Sequence, residues 1–486
     1  MALRRRGACK VQSQAEQDRM IEIPQPLFDI HALSLPRGHG FGDRTPIGAW
    51  ETDDRRSCGT LTHDATNDSF GFIVMRRRVD HVWAVTVEEH GFANVGGAKA
   101  RMSQHLKEGD ALEPMPPLTA RRPALHDLQG RKASQVFNLL KTSSHHPAAW
   151  LLNQLYLALP NPDKNWASDC QTAHFHTRLW EAQLLASFRE QGLLVTQPFE
   201  SPDFRIENRD GGVAWVEAVT ANPALPYEHV NAPPSQIPNT PDEVFFGAAA
   251  LRFAKTLGNK LARKYTHLPH VKNMPFVIAL ADFQAPASMM WSREGLIGYL
   301  YGEGAKVIEK RGQRKAVRTS RTHLLGASKF PAGLFANSDH AELSAVIFSN
   351  ACSIAKLNRV GVSAGMEYKD LRLVRVGSFF DRTTGALEGL PFCMDVTSRE
   401  YRTLWPQGYE PWCAELETFH NPYASHPLPF AILPETTHWH EDADKEMVCS
   451  AHYEHEILWS QTRILDAAAP VPNLDGFLKP SAKSEE

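Results

Sequence analysis

Apolar positions along the chain repeat with period two in some stretches and with helical period in others, and the changes of period outline its elements. From 46 to 95, short apolar runs alternate with turn signals. Residues 70–75 and 82–87 read as strands separated by Arg76-Arg77-Arg78 and Asp80, which predicts a small antiparallel β module. Ala148, Leu151, Leu152, Leu155 and Leu159 recur at helical spacing from Pro147, until Pro160-Asn161-Pro162-Asp163 stops them. A second helix is predicted over 170–191, ended by Gly192. Three strands follow at 193–197, 204–207 and 213–219, the last two joined as a hairpin through Asn208-Arg209-Asp210-Gly211-Gly212. After a Pro-rich stretch from Pro223 to Pro241, the spacing of Phe246, Ala250, Phe253, Leu257 and Leu261 predicts one helix over 243–266 with a single buried face. The unbroken apolar run 276–280 suits the middle of a sheet, and further strands are predicted at 343–348 and 371–376. Residues 1–45 look irregular, 108–133 read as a Pro- and Arg-rich linker, and Pro480 begins a frayed tail.

The composition, 42% apolar and 22% charged over 486 residues, is that of a globular chain long enough for two or three domains. A net charge of -3 gives no long-range attraction for nucleic acid, so any such binding requires a local basic patch. The seven cysteines are scattered and odd in number, with no CxxC spacing. This argues for a reducing compartment and against a disulfide framework or zinc ribbon. No apolar segment follows Arg4-Arg5-Arg6 in the manner of a signal peptide, and no run approaches the length of a membrane span. A cytoplasmic protein is therefore expected, with no membrane partner.

The candidate chemistry lies in three acidic residues. Asp203 opens a strand in Ser201-Pro202-Asp203-Phe204, Glu217 lies on the next strand in Trp215-Val216-Glu217-Ala218-Val219, and Glu181 is on the helix upstream. Glu181 shares a helical face with Leu184, Leu185 and Phe188, where an acid is costly unless paired, protonated or bound to metal. Asp203 and Glu217 share a face of the hairpin only if its register has the right parity. A two-residue Asp210-Gly211 turn would separate them, and an odd-length loop or a bulge at Gly211-Gly212 would bring them together. Carboxylates so gathered suit magnesium, which takes oxygen ligands and completes its shell with water and phosphate.

With Glu181 on a helix, Pro202-Asp203 opening a strand and Glu217 on the next, in the order helix-strand-strand-strand-helix-strand, residues 170–285 resemble the PD-(D/E)XK nuclease superfamily over about a quarter of the chain. The resemblance implies an α/β (α+β) fold with a restriction-endonuclease-like core, in which a central mixed sheet is flanked by helices. It implies Mg2+ (or Mn2+) held by Glu181, Asp203 and Glu217, with Asp203, Glu217 and a lysine acting on the phosphodiester. The family lysine belongs at 219, where this chain has Val219. In some members a basic side chain from the following helix replaces it, and Lys260, three residues after Leu257, is the best candidate, ahead of Lys264 and Arg252. The segments His146-Pro147-Ala148-Ala149-Trp150, Asn161-Pro162-Asp163, Phe348-Ser349-Asn350 and Lys356-Leu357-Asn358-Arg359 look similar to parts of uncharacterised bacterial proteins with the same core.

The expected organisation is an N-terminal β-rich module with linker (1–135), a nuclease-like core (136–380) carrying a basic insertion at 304–329, and a C-terminal extension packed on the core (381–486). Within the insertion, Lys310, Arg311, Arg314, Lys315, Arg318 and Arg321 are the expected phosphate contacts, with Lys306 and Lys329 adding charge. The expected function is a metal-dependent nuclease, with DNA as the favoured substrate. The alternative is a catalytically inactive nuclease fold that binds nucleic acid or serves in an assembly, and a homodimer is compatible with either. Three other signals are weaker. His438-Trp439-His440-Glu441, with His452 and His455, matches no zinc spacing and reads as a His-rich surface loop. His174 and His176 read as structural. Gly38-His39-Gly40-Phe41-Gly42 lacks the flanking strand and helix of a phosphate loop.

Overall fold

The computed structural model describes residues 20–33, 35, 44–106, 111–117, 122–223, 235–326, 330–383 and 385–472. The Arg4-Arg5-Arg6 cluster, the glycine run at 38–42, Lys329 and the tail from Pro480 lie outside them. The chain is mixed α/β and divides into two compact units, 1–124 with 364–366, and 125–363 with 367–486. No helix among the described residues is long and apolar enough to cross a membrane, and the six described cysteines are free thiols.

The first unit is an antiparallel sheet whose strands pair in chain order: β1 (Met20–Ile23), β2 (Thr45–Thr52), β3 (Ser57–Asp64), β4 (Ser69–Arg77) and β5 (Trp83–Phe92). The continuous apolar run in β4 has a simple cause, because both faces of this sheet are covered. Helix α1 (Gln25–Ala32) sets Phe28 and Ala32 against Ala49, Cys58, Met75 and Trp83 on one face. Helix α2 (Val95–His105) sets Ala98 and Met102 against Trp50, Leu61, Phe72 and Val74 on the other. Arg78 and Asp80 close the β4–β5 turn as a buried bidentate pair at 3.0 and 2.6 Å.

The second unit opens with four helices, α3 (Gln135–Leu139), α4 (His146–Ala158), α5 (Trp166–Gln171) and α6 (Phe175–Glu190). The single helix expected over 170–191 is thus two, broken at 172–174. The break lets α5 fold back on α6, so that the Trp166 indole reaches Glu181. Strands β6 (Leu194–Thr196), β7 (Phe204–Glu207) and β8 (Val213–Ala221) form an antiparallel set close to the expected bounds. The helix expected over 243–266 is also two, α7 (Pro241–Phe246) and α8 (Ala248–Leu261). Thr240 and Glu243 form a capping box on α7, and Gly247 makes the corner, where a Cβ would lie only 2.3 Å from the Glu243 carbonyl oxygen.

Strand β9 (Phe276–Asp282) follows, then α9 (Arg293–Tyr301) and the hairpin β10 (Glu303–Lys310) and β11 (Gln313–Ser320). Next come β12 (Ala345–Ser349), α10 (Ile354–Ala364), β13 (Leu371–Phe379), β14 (Leu390–Asp395), α11 (Arg399–Arg402), β15 (Glu417–His420), β16 (Thr437–Glu441), β17 (Met447–Ser450) and β18 (Ile457–Asp466). An eight-stranded mixed sheet runs β17-β16-β15-β12-β9-β8-β7-β6, with β8, β9 and β12 parallel at its centre. The C-terminal residues therefore supply three strands to this sheet, and β18 joins β13 and β14 in a second, three-stranded one. The stretch expected as a His-rich surface loop is β16. His438 is buried there, bonded to His420 at 2.8 Å and to the Leu433 carbonyl at 2.9 Å.

The two faces of the central sheet have different covers. Thr220 on β8 meets Thr177 of α6 at 2.9 Å, and Phe204 on β7 meets Phe188 of α6, so α6 lies over the face of the even-numbered residues. Trp215, Val219 and Ala221 pack with Ala250, Phe253 and Leu257 of α8 over the face of the odd-numbered ones. Two of the flanking segments singled out in the sequence meet directly, since the Asn358 side-chain carbonyl on α10 accepts from the Ala148 amide of α4 at 3.1 Å.

Candidate active site

The hairpin register decides what the sequence left open. Strands β7 and β8 pair Phe204 with Val216 and Glu207 with Val213, leaving the five residues 208–212 as the connection. Continuing that register by one residue sets Asp203 opposite Glu217 on the same face. The Ala218 amide donates to Asp203 Oδ2 at 2.7 Å and fixes the carboxylate. The approach to Asp203 is held by His270, which bonds the Ser201 carbonyl at 3.0 Å and stacks on Phe199 at 3.8 Å.

Glu217 is 4% exposed, on the face covered by α8. Lys260, one turn beyond Leu257 near the end of α8, places Nζ on Glu217 Oε1 as an ion pair. Helix α8 stops at Leu261 and the chain reverses through Lys264, whose φ is +52°. The reversal brings the Tyr265 hydroxyl to the same Oε1 at 2.6 Å. Burial and the neighbouring Glu217 carboxylate raise the Tyr265 phenol, which keeps its proton and donates it. Arg263 approaches the phenol oxygen at 3.4 Å. Tyr265 and Arg263 were not visible as site residues in the sequence, because both fell inside the predicted helix. Lys264 forms the turn and makes no contact with either carboxylate in the structure.

Glu217 Oε2 is buried and has no hydrogen-bond partner among the described residues. Burial raises the pKa of Asp203 well above the ordinary carboxylate value, and the Glu217 and Glu181 charges add to this. The Ala218 amide and the Lys260 ammonium offset only part of it. Two opposed carboxylates, one with an orphaned buried oxygen and the other short of positive charge, make a donor set that fits a divalent cation.

Glu181 does not join them. Its helix covers the opposite face of the sheet, and its carboxylate is occupied by Arg178 at 2.9 and 3.0 Å and by the Trp166 indole at 2.7 Å. Arg178 also holds Asp163 at 2.9 Å and Asp169 at 2.7 Å. Burial raises the pKa of Glu181 and the Arg178 guanidinium opposes it, so this acid is accommodated by pairing. No group of three or more His, Cys, Asp or Glu side chains among the described residues is arranged to hold a metal ion.

The basic insertion is a regular hairpin, and its register sorts the charges by face. Lys306, Lys310 and Lys315 lie on one face with Ile308 and Val317, whereas Arg314 and Arg318 lie on the other with Glu303 and Glu309. Arg314 pairs with Glu388, Arg318 with Glu303 and Glu446, and Arg321 with Asp242, all exposed. Lys306, Lys310, Arg311 and Lys315 form no ion pair among the described residues. His174 precedes α6, and His176 stacks on Phe283 at 4.2 Å, with burial pushing its pKa down to about 4.

No family model matches the chain, and no characterised protein and no solved structure matches it significantly.

Proposed function

We propose that the second unit contains a divergent restriction-endonuclease-like core and hydrolyses phosphodiester bonds, with DNA as the favoured substrate and Mg2+ or Mn2+ as cofactor. The observation that carries this reading is the opposition of Asp203 and Glu217 across β7 and β8, with Lys260 delivered to Glu217 from α8. The order α6-β6-β7-β8-α7-α8-β9, antiparallel over the first three strands and parallel from β8 to β9, supports it.

In this reading Asp203 and Glu217 hold the cation. Such an ion supplies a nucleophilic hydroxide and Lewis-acid stabilisation of the phosphate. The Ala218 amide orients Asp203, and Tyr265 orients Glu217 while excluding solvent from Oε1. Lys260 offsets charge building on the phosphate oxygens, the task of the lysine missing at 219. Val219 lies on the same face of β8 as Glu217, two residues on, so a lysine there would start from the family position. The face of Lys306, Lys310 and Lys315, which form no ion pair among the described residues, offers phosphate contacts.

The test follows from that migration of charge. Lys260→Ala is expected to lower Mg2+-dependent plasmid cleavage by about a hundredfold, the scale of one lost electrostatic stabiliser. Lys260→Ala combined with Val219→Lys is expected to recover part of it. Cleavage that is indifferent to Lys260 or to chelator overturns the reading.

The Lys260–Glu217 ion pair also favours a second reading, in which the lysine permanently neutralises the acid and the core binds nucleic acid without cutting it. Filter retention of DNA with no cleavage in either Mg2+ or Mn2+ selects this alternative.

A further inference from the structure

The connection from β6 to β7, which leads the chain into Asp203, presents an aromatic ring to solvent. It is anchored on both sides of that ring. The Gln197 side-chain carbonyl accepts from the Asn161 amide at 3.0 Å, and the Ser201 carbonyl accepts from His270 at 3.0 Å. Phe199, between these anchors, is 49% exposed, more than any other Phe, Tyr or Trp among the described residues. One face of its ring lies on the His270 imidazole, with 3.8 Å between centroids and 12° between planes. Both rings rest against Trp215, at 6.0 and 4.9 Å. No ring among the described residues covers the other face of Phe199.

Trp215 ties this stack to the acidic pair. It lies two residues before Glu217 on the same face of β8, a step of about 7 Å along the strand. Positive charge is close as well. Arg263 is exposed in the turn after α8, and the Tyr265 phenol raises its pKa, with Glu217 and Asp203 adding to this. A ring that can meet a base and a cation that can meet a phosphate thus adjoin the two carboxylates.

The state of the DNA decides whether such a ring is useful. In a duplex each base is paired and stacked on both sides, and lifting it out costs about as much as one aromatic platform returns. An unpaired strand keeps the gain, about tenfold in affinity for one base. We infer that, on the reading of Asp203 and Glu217 as a cleavage site, the substrate is DNA that is unpaired where it is cut. A base stacks on the open face of Phe199, and an adjoining phosphate is brought to the carboxylates. Every base has a face to offer, so this contact tolerates any sequence. Negatively supercoiled plasmid supplies such stretches, because supercoiling favours local strand opening.

The test is fluorescence anisotropy of the full chain in EDTA at one fixed salt concentration. The probes are labelled oligothymidylate, the same strand paired with oligodeoxyadenylate, and an abasic strand of equal length. The parent is expected to hold oligothymidylate more tightly than either of the others. Phe199→Ala is expected to lower the preference for single strand over duplex about tenfold. Phe199→Leu keeps an apolar side chain without a ring and is expected to lose the preference too, whereas Phe199→Trp retains it. The inference is overturned if the parent binds the duplex or the abasic strand as tightly as oligothymidylate. It is also overturned if Phe199→Ala or Phe199→Leu keeps the preference of the parent, or if Phe199→Trp loses it. Should Phe199→Ala fail to fold, the contrast between Leu and Trp decides. Plasmid cleavage in Mg2+ reads the nuclease activity separately. A chain that cuts without any Phe199-dependent preference loses only the stacked base, and one that shows the preference but never cuts loses only the cleavage.

Discussion

Around Asp203 three effects compete: burial, the like charges of Glu217 and Glu181, and the opposing Ala218 amide and Lys260 ammonium. The first two prevail, so the folded-state pKa lies above the ordinary 3.8. As pH rises from 3.8, the unfolded chain releases this proton before the folded chain does. Asp203 therefore favours the fold at low pH, and that contribution is lost as pH climbs through the folded pKa. Asp203→Asn keeps the acceptor for the Ala218 amide and removes the charge. At neutral pH it is expected to melt a few degrees above the parent, with the gain vanishing below the unfolded pKa, while cleavage falls to background. Thermal melts across the acid-to-neutral range, beside a plasmid assay, measure both. A variant that melts below the parent at neutral pH contradicts the account of strain at this residue. Mg2+ is expected to stabilise the parent more than this variant, because an ion that binds only the folded state raises its stability by mass action.

At the scale of the element, the hairpin β10–β11 combines two surfaces. On the Arg314 and Arg318 face, acidic neighbours already absorb the charge, and exposed pairs of this kind contribute little to stability. The Lys306, Lys310 and Lys315 face has no such partners among the described residues. Replacing these three lysines by alanine is expected to leave the melting temperature almost unchanged and to weaken DNA binding at low salt. The slope of log affinity against log salt should fall by about 0.9 for each phosphate that is no longer neutralised. An unchanged slope in a filter-binding series removes the hairpin from the interface. Helix α8 makes a complementary point. Phe253 and Leu257 define its buried face by spacing alone, and Lys260 follows three residues on, so its position beside the sheet was legible. The end of the helix was not. Lys264 takes a left-handed conformation with no glycine to announce it, and that turn carries Tyr265 back to Glu217.

At the scale of the molecule, an extensive buried ion network lies away from the candidate site. Lys356 and Arg359 of α10 and Arg375 of β13 surround Glu410, with Lys356 and Arg359 at 2.9 Å and Arg375 at 3.4 Å. Glu415 pairs with the other end of the Arg375 guanidinium, and the Tyr401 hydroxyl of α11 donates to Glu410. All six side chains are almost wholly buried. Burial alone would raise the pKa of Glu410, but the three cations together hold it well below the ordinary range. Its contribution to stability is thus present above pH 4.5 and is lost as pH falls through the folded pKa. Glu410→Gln leaves three buried cations undercompensated and is expected to cost about 3–5 kcal/mol in chemical denaturation. A loss under about 1 kcal/mol, the worth of an exposed pair, contradicts the burial of this network.

The sequence alone determined several of the local elements and the identity of the acids. Period and turn residues located α4, β7, β8 and β9 to within a few residues, because these segments bury faces whose spacing is written in the chain. Arg178, three residues before Glu181, was a readable sign that this acid is paired within its own helix. Only the tertiary structure decided which carboxylates meet. The five-residue connection sets the parity that opposes Asp203 to Glu217, the sheet separates Glu181 from them, and long-range packing turns Tyr265 inward. Register and burial are properties of pairings between distant segments, and local periodicity carries no record of them.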